Sequence, residues 1–232
     1  MSRLLLSALT GVLLATAPQV APAQWQPPQA TTEAARKGDA AAQYRLGEMY
    51  DLGRGVKQDY AQAVRWYRAA AEQGHAQAQF ALAEMYKNGD GVAKDMAEAV
   101  RWYRRAADQG EPRAQLLLGV LYESGVGVPM DNAAAAQWYR RSAEQGDARA
   151  QMLLGNLLAL GQGVPKNPVV AYALYTVSAG VEPKGNPSAG HREQLARAMT
   201  GAEIEAGKAL AVEMAKPGAF PAALSRALAG AK

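Results

Sequence analysis

Few side chains in this sequence could do chemistry, and their spacing limits what each can do. There is no cysteine, and the two histidines, His75 and His191, are far apart in the chain. A zinc site needs three or four clustered ligands, and no such cluster can be read around either one. Glu48, Glu84 and Glu123 recur along the chain and could act as an acid–base pair, but only in a pocket that shifts their pKa values. Gly201–Lys208 has the look of a phosphate loop, yet its glycines are one residue too far apart. Ala209 stands where a metal-binding hydroxyl belongs, and no strand precedes the segment. A basic stripe remains: Arg65, Arg68, Arg101, Arg104, Arg105, Arg140 and Arg141. Acidic residues lie four positions beyond three of them, in Arg68–Glu72, Arg104–Asp108 and Arg140–Glu144. On a helix such pairs contribute about 0.2–0.5 kcal/mol each and neutralise the stripe. The stripe therefore reads as a solvated outer face, with an anionic cell-wall polymer or acidic protein patch as the alternative partner. The expectation is no catalytic residue, no metal ligand and no cofactor.

The elements that carry these residues repeat. Four units of 36 residues open at Gly38, Gly74, Gly110 and Gly146 and run without a gap to Val181. They share Ala42-Gln43, Ala78-Gln79, Ala114-Gln115 and Ala150-Gln151, and a glycine-x-glycine-valine turn that begins at Gly53, Gly89, Gly125 and Gly161. Three units carry a Trp-Tyr pair, at Trp66-Tyr67, Trp102-Tyr103 and Trp138-Tyr139. A fixed period of this size means one supersecondary unit stacked on copies of itself. Each unit reads as two helices about a turn. Ala40–Leu52 is helix-forming throughout, Gly53 can close it in the left-handed region, and Asp59 with Gln62 opens the second helix as a near capping box. Asp95 and Glu98 repeat that pair. On the first helix Ala42, Gln43, Leu46, Gly47, Met49 and Tyr50 share one arc; on the second, Ala63, Trp66, Tyr67 and Ala70 do. The tryptophans are expected in the core, the tyrosine hydroxyls to need partners if buried, and the glutamines to answer inter-helix polar groups. Unit four departs from the pattern, with Leu158 for tyrosine, Leu174 for tryptophan and Asn167-Pro168 at the cap.

These columns resemble the Sel1-like repeat, a relative of the tetratricopeptide repeat, and Ala40–Gly74 matches its usual pattern almost position by position. The resemblance implies an all-α fold, a right-handed α-solenoid of antiparallel helix pairs. It divides the chain into repeats at 38–73, 74–109, 110–145 and 146–181, with a capping half-helix at 32–37. Beyond them lie a C-terminal loop, capping helices and tail at 182–232, with helices at Ala189–Met199 and Ala202–Lys216 and a capping box of Thr200 with Glu203. It also implies protein–protein interaction and no enzymatic activity. Cysteine-rich members of the family have been linked to β-lactams, but a Ser-x-x-Lys pair occurs nowhere here.

The ends suggest export. Met1–Ala23 has Arg3, an apolar stretch over Leu4–Ala17 and Ala21-Pro22-Ala23 before Gln24, as a cleavable signal peptide would. Gln24–Thr31, with Pro27-Pro28, reads as a flexible lead-in. Without Arg3 the chain keeps 24 basic against 21 acidic residues, a net of +3, too slight to point to nucleic acid or a membrane. The mature chain is thus expected in the periplasm of a Gram-negative bacterium, without a stable membrane anchor. Its oligomeric state is not legible.

A partner surface can still be located. The first-helix positions opposite the core arc do not follow the repeat. They hold Tyr44 and Glu48 in unit one, Phe80 and Glu84 in unit two, and Leu116, Leu117 and Val120 in unit three. Unit four has Met152, Leu153 and Asn156 there, so the face drifts from mixed to apolar. A protein or peptide partner is expected to contact Leu116, Leu117, Val120, Met152 and Leu153, with Tyr44 and Phe80 extending the strip. Two alternatives stand beside this: neighbouring helices or the C-terminal cap cover these residues, or the chain is a cell-envelope hydrolase or polymer binder that uses its carboxylates or arginines.

Overall fold

The computed structural model describes residues 27–181 and 185–230; the leader expected at 1–23 lies outside the described residues. Among the described residues there are twelve helices and no strand. Helix α1 (Gln29–Arg36) precedes four hairpins. They pair α2 (Ala40–Leu52) with α3 (Tyr60–Glu72), and α4 (Ala76–Asn88) with α5 (Met96–Asp108). Next come α6 (Pro112–Ser124) with α7 (Asn132–Glu144), and α8 (Ala148–Leu160) with α9 (Pro168–Val181). Helices α10 (Ser188–Ala196), α11 (Gly201–Met214) and α12 (Phe220–Ala229) close the chain. Each second helix packs on its own first helix, and α3, α5 and α7 also pack on the first helix of the next hairpin, the nearest-neighbour stacking of an all-α solenoid. No described helix is long and apolar enough to cross a membrane.

Local chemistry sets the hairpins. The first helices are capped by Asp39, His75, Glu111 and Asp147, each accepting the backbone N–H three residues on. Their C-termini close on Gly53, Gly89, Gly125 and Gly161 with φ between 66° and 88°, a conformation costly for any residue with a Cβ. Val56 is buried beneath the first of these turns. The second helices are capped by Asp59, Asp95, Asp131 and Asn167. Among the described residues a reciprocal capping box forms only at Thr200–Glu203. At Asp95 the expected box is half made, because the Glu98 carboxylate pairs with Arg101 at 2.5 Å instead.

The packing corrects the reading of the aromatic pair. Tyrosine, not tryptophan, is the deep residue: Tyr67, Tyr103, Tyr139 and Tyr175 are 2%, 0%, 0% and 3% exposed. The rings of Tyr67, Tyr139 and Tyr175 lie against Gly47, Gly119 and Gly155 of the partner helix, and a Cβ on Gly47 would come within 2.5 Å of Tyr67; Tyr103 shares its core cluster with Ala83, the residue at the glycine slot of unit two. Trp102 is buried, but Trp66 and Trp138 are only half-buried. One helical step from tyrosine turns tryptophan about 100° toward the hairpin's edge, where the Arg105 and Arg141 guanidiniums lie 4.4 and 4.6 Å above Trp102 and Trp138.

The ends differ from expectation. Helix α1 begins at Gln29, inside the expected lead-in, because extended Pro28 delivers the chain straight into helix. Helix α10 stops at Ala196 and α11 at Met214, each short of the expected bounds. Helix α12 was not foreseen; Pro221 sits in its first turn, where a missing N–H costs nothing. Helices α10 and α11 both pack against α9, and Gly207 of α11 admits the ring of Tyr172.

Candidate functional site

The variable first-helix face is built from α2, α4, α6 and α8. Tyr44, Phe80, Leu116, Leu117, Val120, Met152 and Leu153 are all half-buried, so each keeps accessible surface while its base is held by the core. Tyr44, Phe80 and Leu117 rest on the cluster centred on α3–α6; Leu116, Val120, Met152 and Leu153 rest on the cluster of α7–α12.

The first half of this face is a run of interlocked rings and charges. Tyr44 stacks on His75 of the next repeat at 4.9 Å between ring centres and lies 5.8 Å from Tyr67. Its hydroxyl donates to Glu48 at 2.9 Å. Burial, then the Glu48 hydrogen bond, push the Tyr44 phenol up to about 12. Phe80 lies 5.7 Å from Tyr103, and the Arg113 guanidinium sits 4.4 Å over its ring. Arg113 is fixed there by the buried Glu111 carboxylate at 2.8 Å. In the second half, aliphatic side chains replace these groups.

The carboxylates considered for acid–base work are hydroxyl acceptors. Glu48 accepts from Tyr44, Glu84 from Tyr103 and Glu123 from Tyr139. Asp51 and Asn156 do the same for Tyr67 and Tyr175, at 3.1 and 2.8 Å. Each carboxylate is thus engaged within its own repeat. His75 caps and packs instead of ligating: its Nδ1 accepts the Ala78 N–H at 3.3 Å, and it is half-buried on Tyr44. His191 lies edge-on to Tyr175 at 5.5 Å. The segment Gly201–Lys208 is the first half of α11, and Lys208 pairs with Glu205 at 2.8 Å. Among the described residues no group of three or more acids and histidines is placed to hold a metal ion.

The arginines are placed differently from the sequence reading. Only Arg140–Glu144 forms as an i,i+4 pair, at 2.8 Å. Arg68 and Arg104 instead reach forward one repeat and donate to the hydroxyls of Tyr86 and Tyr122. The signal for this was present in the repeat itself: arginine and tyrosine recur at fixed slots 18 residues apart. In unit four the tyrosine slot holds Leu158, and Arg140 donates to Ser225 of α12 at 2.6 Å.

The four buried glutamines answer inter-helix groups, as expected. Gln43, Gln79 and Gln115 donate to the carbonyls of Ala35, Ala71 and Ala107 and accept from Gln73, Gln109 and Gln145. Gln151 is the exception: its Oε1 is buried, and no described residue donates to it.

Comparison with known proteins agrees with this architecture. The Sel1 repeat family model matches residues 40–75, 76–111, 112–147 and 148–179. A solved Sel1 repeat protein from Oxalobacter formigenes is 40% identical over 71% of this chain and 48% of its own, with a TM-score of 0.67. The protective antigen c5321 of uropathogenic Escherichia coli, which displays an SLR fold, is 28% identical over 84% of this chain and 49% of its own, with a TM-score of 0.54. The chain therefore spans about half the length of these two structures. No curated protein matches it at a significant level. Sel1-repeat proteins generally mediate protein–protein interaction and are generally non-catalytic scaffolds. With four tandem matches over most of its described length, the chain belongs to the Sel1 repeat family.

Proposed function

We propose that this protein is a non-catalytic adaptor, exported to the periplasm, that captures a segment of a protein partner along its first-helix face. The observation that carries the reading is the continuity of that face. Seven variable positions on successive first helices keep accessible surface, and they change from tyrosine, phenylalanine and paired charges to leucine, valine and methionine. A solenoid curves so that such faces can meet an extended peptide or a helix, and aliphatic contacts removed from water contribute about 25 cal/mol per Å². A few such residues suffice for an affinity in the micromolar range. Family membership supports binding over turnover, as does the engagement of Glu48, Glu84 and Glu123 by tyrosine hydroxyls. Export rests on the leader-like composition of Met1–Ala23.

Crosslinking capture from periplasmic extract is the direct test. Leu117→Ser and Met152→Ser should abolish capture of the partner while leaving the helical melting curve largely intact. Arg104→Glu should matter less to capture. A sharp fall in melting temperature with Leu117→Ser would make that position core rather than contact. Turnover of a peptidoglycan fragment or β-lactam, lost on substituting Glu84 or Glu123, would replace the adaptor with a hydrolase.

A further inference from the structure

The solenoid uses a two-bond rule for its buried glutamines, and the fourth repeat breaks it. In the first three repeats the side-chain oxygen accepts an amide N–H from a second glutamine, Gln73, Gln109 or Gln145, at 2.7, 2.6 and 2.8 Å. Gln151 keeps the bond to the preceding carbonyl, that of Ala143 at 3.4 Å. The donor that should follow belongs at position 181, where the chain has valine. Gln151 is 2% exposed, and no described residue supplies a donor to its Oε1. A buried amide oxygen left this way carries its full desolvation cost, and such atoms need an explanation.

The side chain lines a cavity of about 950 Å³ between α9 and the closing helices α11 and α12. The wall is mostly apolar, with Val177 and Val181 on one side and Ala211, Met214 and Phe220 on the other. Gln151 Oε1 is the one buried polar side-chain atom of the lining without a partner. Lys208 is held by Glu205, Glu144 by Arg140, and the Thr176 hydroxyl by the Tyr172 carbonyl. An occupant must therefore bury apolar surface and donate a single N–H or O–H inward. An anion is disfavoured, because the one buried unanswered group is an acceptor. The sister repeats show which donor this site is built around: in each, a carboxamide N–H fills the place.

We propose that this cavity is a peptide-binding site, distinct from the first-helix face and sharing no residue with the contact patch there. It takes an apolar segment of a partner protein, with one amide N–H donated to Gln151 Oε1 and an aliphatic side chain against Val177, Met214 and Phe220. Gln151 Oε1 is itself closed off from solvent, so the donor reaches it only as the exposed Val181 side chain turns out of the glutamine slot.

A matched pair of probes isolates the hydrogen bond. N-acetyl-leucine methyl ester carries one N–H; methyl 2-acetoxy-4-methylpentanoate is the same molecule with that N–H replaced by oxygen. Titrated into isotope-labelled full-length protein, the amide should shift the Gln151 side-chain resonances and the Met214 methyl, and the ester should bind about tenfold more weakly. Val181→Gln restores the donor of the other repeats, at a position 54% exposed where glutamine fits. It should keep a folded spectrum, melt no lower than the parent, and lose affinity for the amide by about tenfold or more; Val181→Ala should retain it. Equal binding of the two probes, unchanged binding by Val181→Gln, or no shift at Gln151 and Met214 up to the solubility limit would each overturn the proposal. So would the same shifts on raising protein concentration alone, which would make the occupant a second copy of this chain.

Discussion

Tyrosine is the residue on which each hairpin turns. In three hairpins its ring fills the gap left by a glycine on the facing helix, and its hydroxyl must then find an acceptor inside the protein. The chain meets that need in two ways. Tyr67 and Tyr139 reach Asp51 and Glu123, sixteen residues back, whereas Tyr103 and Tyr175 reach Glu84 and Asn156, nineteen back. Either acceptor works because both positions lie one turn apart on the first helix. Burial, followed by the adjacent carboxylate where there is one, raises these phenols above their ordinary value; Tyr175 reaches about 12 by burial alone. A group whose pKa is raised in the folded state contributes stability that is intact below the unfolded value and lost as pH rises through the folded one. The unfolded phenols ionise near pH ~10, so stability should hold to about that pH and fall steeply between roughly 10 and 12. Urea melts from neutral to alkaline pH, with phenolate absorbance followed in parallel, would show it. Tyr175→Phe should cost about 1 kcal/mol at neutral pH and flatten the alkaline slope; an unchanged slope would mean that Tyr175 titrates freely.

At the scale of the element, one site does two tasks. The residue before each first helix caps it, and in three repeats it is an acid: Asp39, Glu111 or Asp147. An acid also complements the positive end of the helix dipole. In the second repeat His75 accepts through neutral Nδ1 and stacks on Tyr44. Burial lowers its pKa, only partly opposed by Asp39 and Glu48. The folded state thus prefers neutral histidine, so its contribution is present above the unfolded value near pH ~6.5 and is lost as pH falls below it. Protonation also removes the lone pair that caps α4. The melting temperature should therefore fall between neutral pH and about pH 5. His75→Asp should raise stability at neutral pH by about 0.5–1 kcal/mol and remove the histidine-linked part of the acid slope. The second-helix caps at Asp59 and Asp95 and the turn glycines were readable in the sequence, because they repeat in register; the first-helix caps were not. Which of two adjacent aromatics lies deeper was not. Tryptophan and tyrosine at neighbouring positions differ by one helical step, and only the close approach of Gly47, Gly119 and Gly155 selects tyrosine.

For the whole molecule, the informative places are those where the repeat stops repeating. The internal repeats needed nothing beyond their own period to be read, because each contacts only its neighbours. The partner-facing strip could be placed on helices by angle, yet whether a partner occupies it depends on a molecule outside the chain. Helix α12 was illegible for a different reason: Pro217 just before it, Pro221 within it and a short apolar run read as a tail, and its place is set by tertiary contacts alone. Those contacts are visible in what unit four lacks. Arg140 has no tyrosine ahead of it, because Leu158 fills that slot, and it takes Ser225 of α12 instead. Leu158 in turn is buried in the same cluster as Leu224, which is itself fully buried. Helix α12 therefore supplies to Arg140 the hydroxyl that a fourth-repeat tyrosine would have offered, while α11 lies against α9 where the first helix of a next repeat would pack. A chain ending at Gly218 should lose about 2–5 kcal/mol for the buried leucine alone. Hydrogen exchange should show protection lost in α9 and α11 but retained in α2–α5, as expected where coupling runs from neighbour to neighbour. Adding Leu158→Tyr to the truncated chain should recover part of the loss, since it rebuilds the arginine–tyrosine link of the earlier repeats for Arg140. A uniform loss of protection through all four hairpins would instead mark the solenoid as one cooperative unit, with α12 as a keystone rather than a local cap.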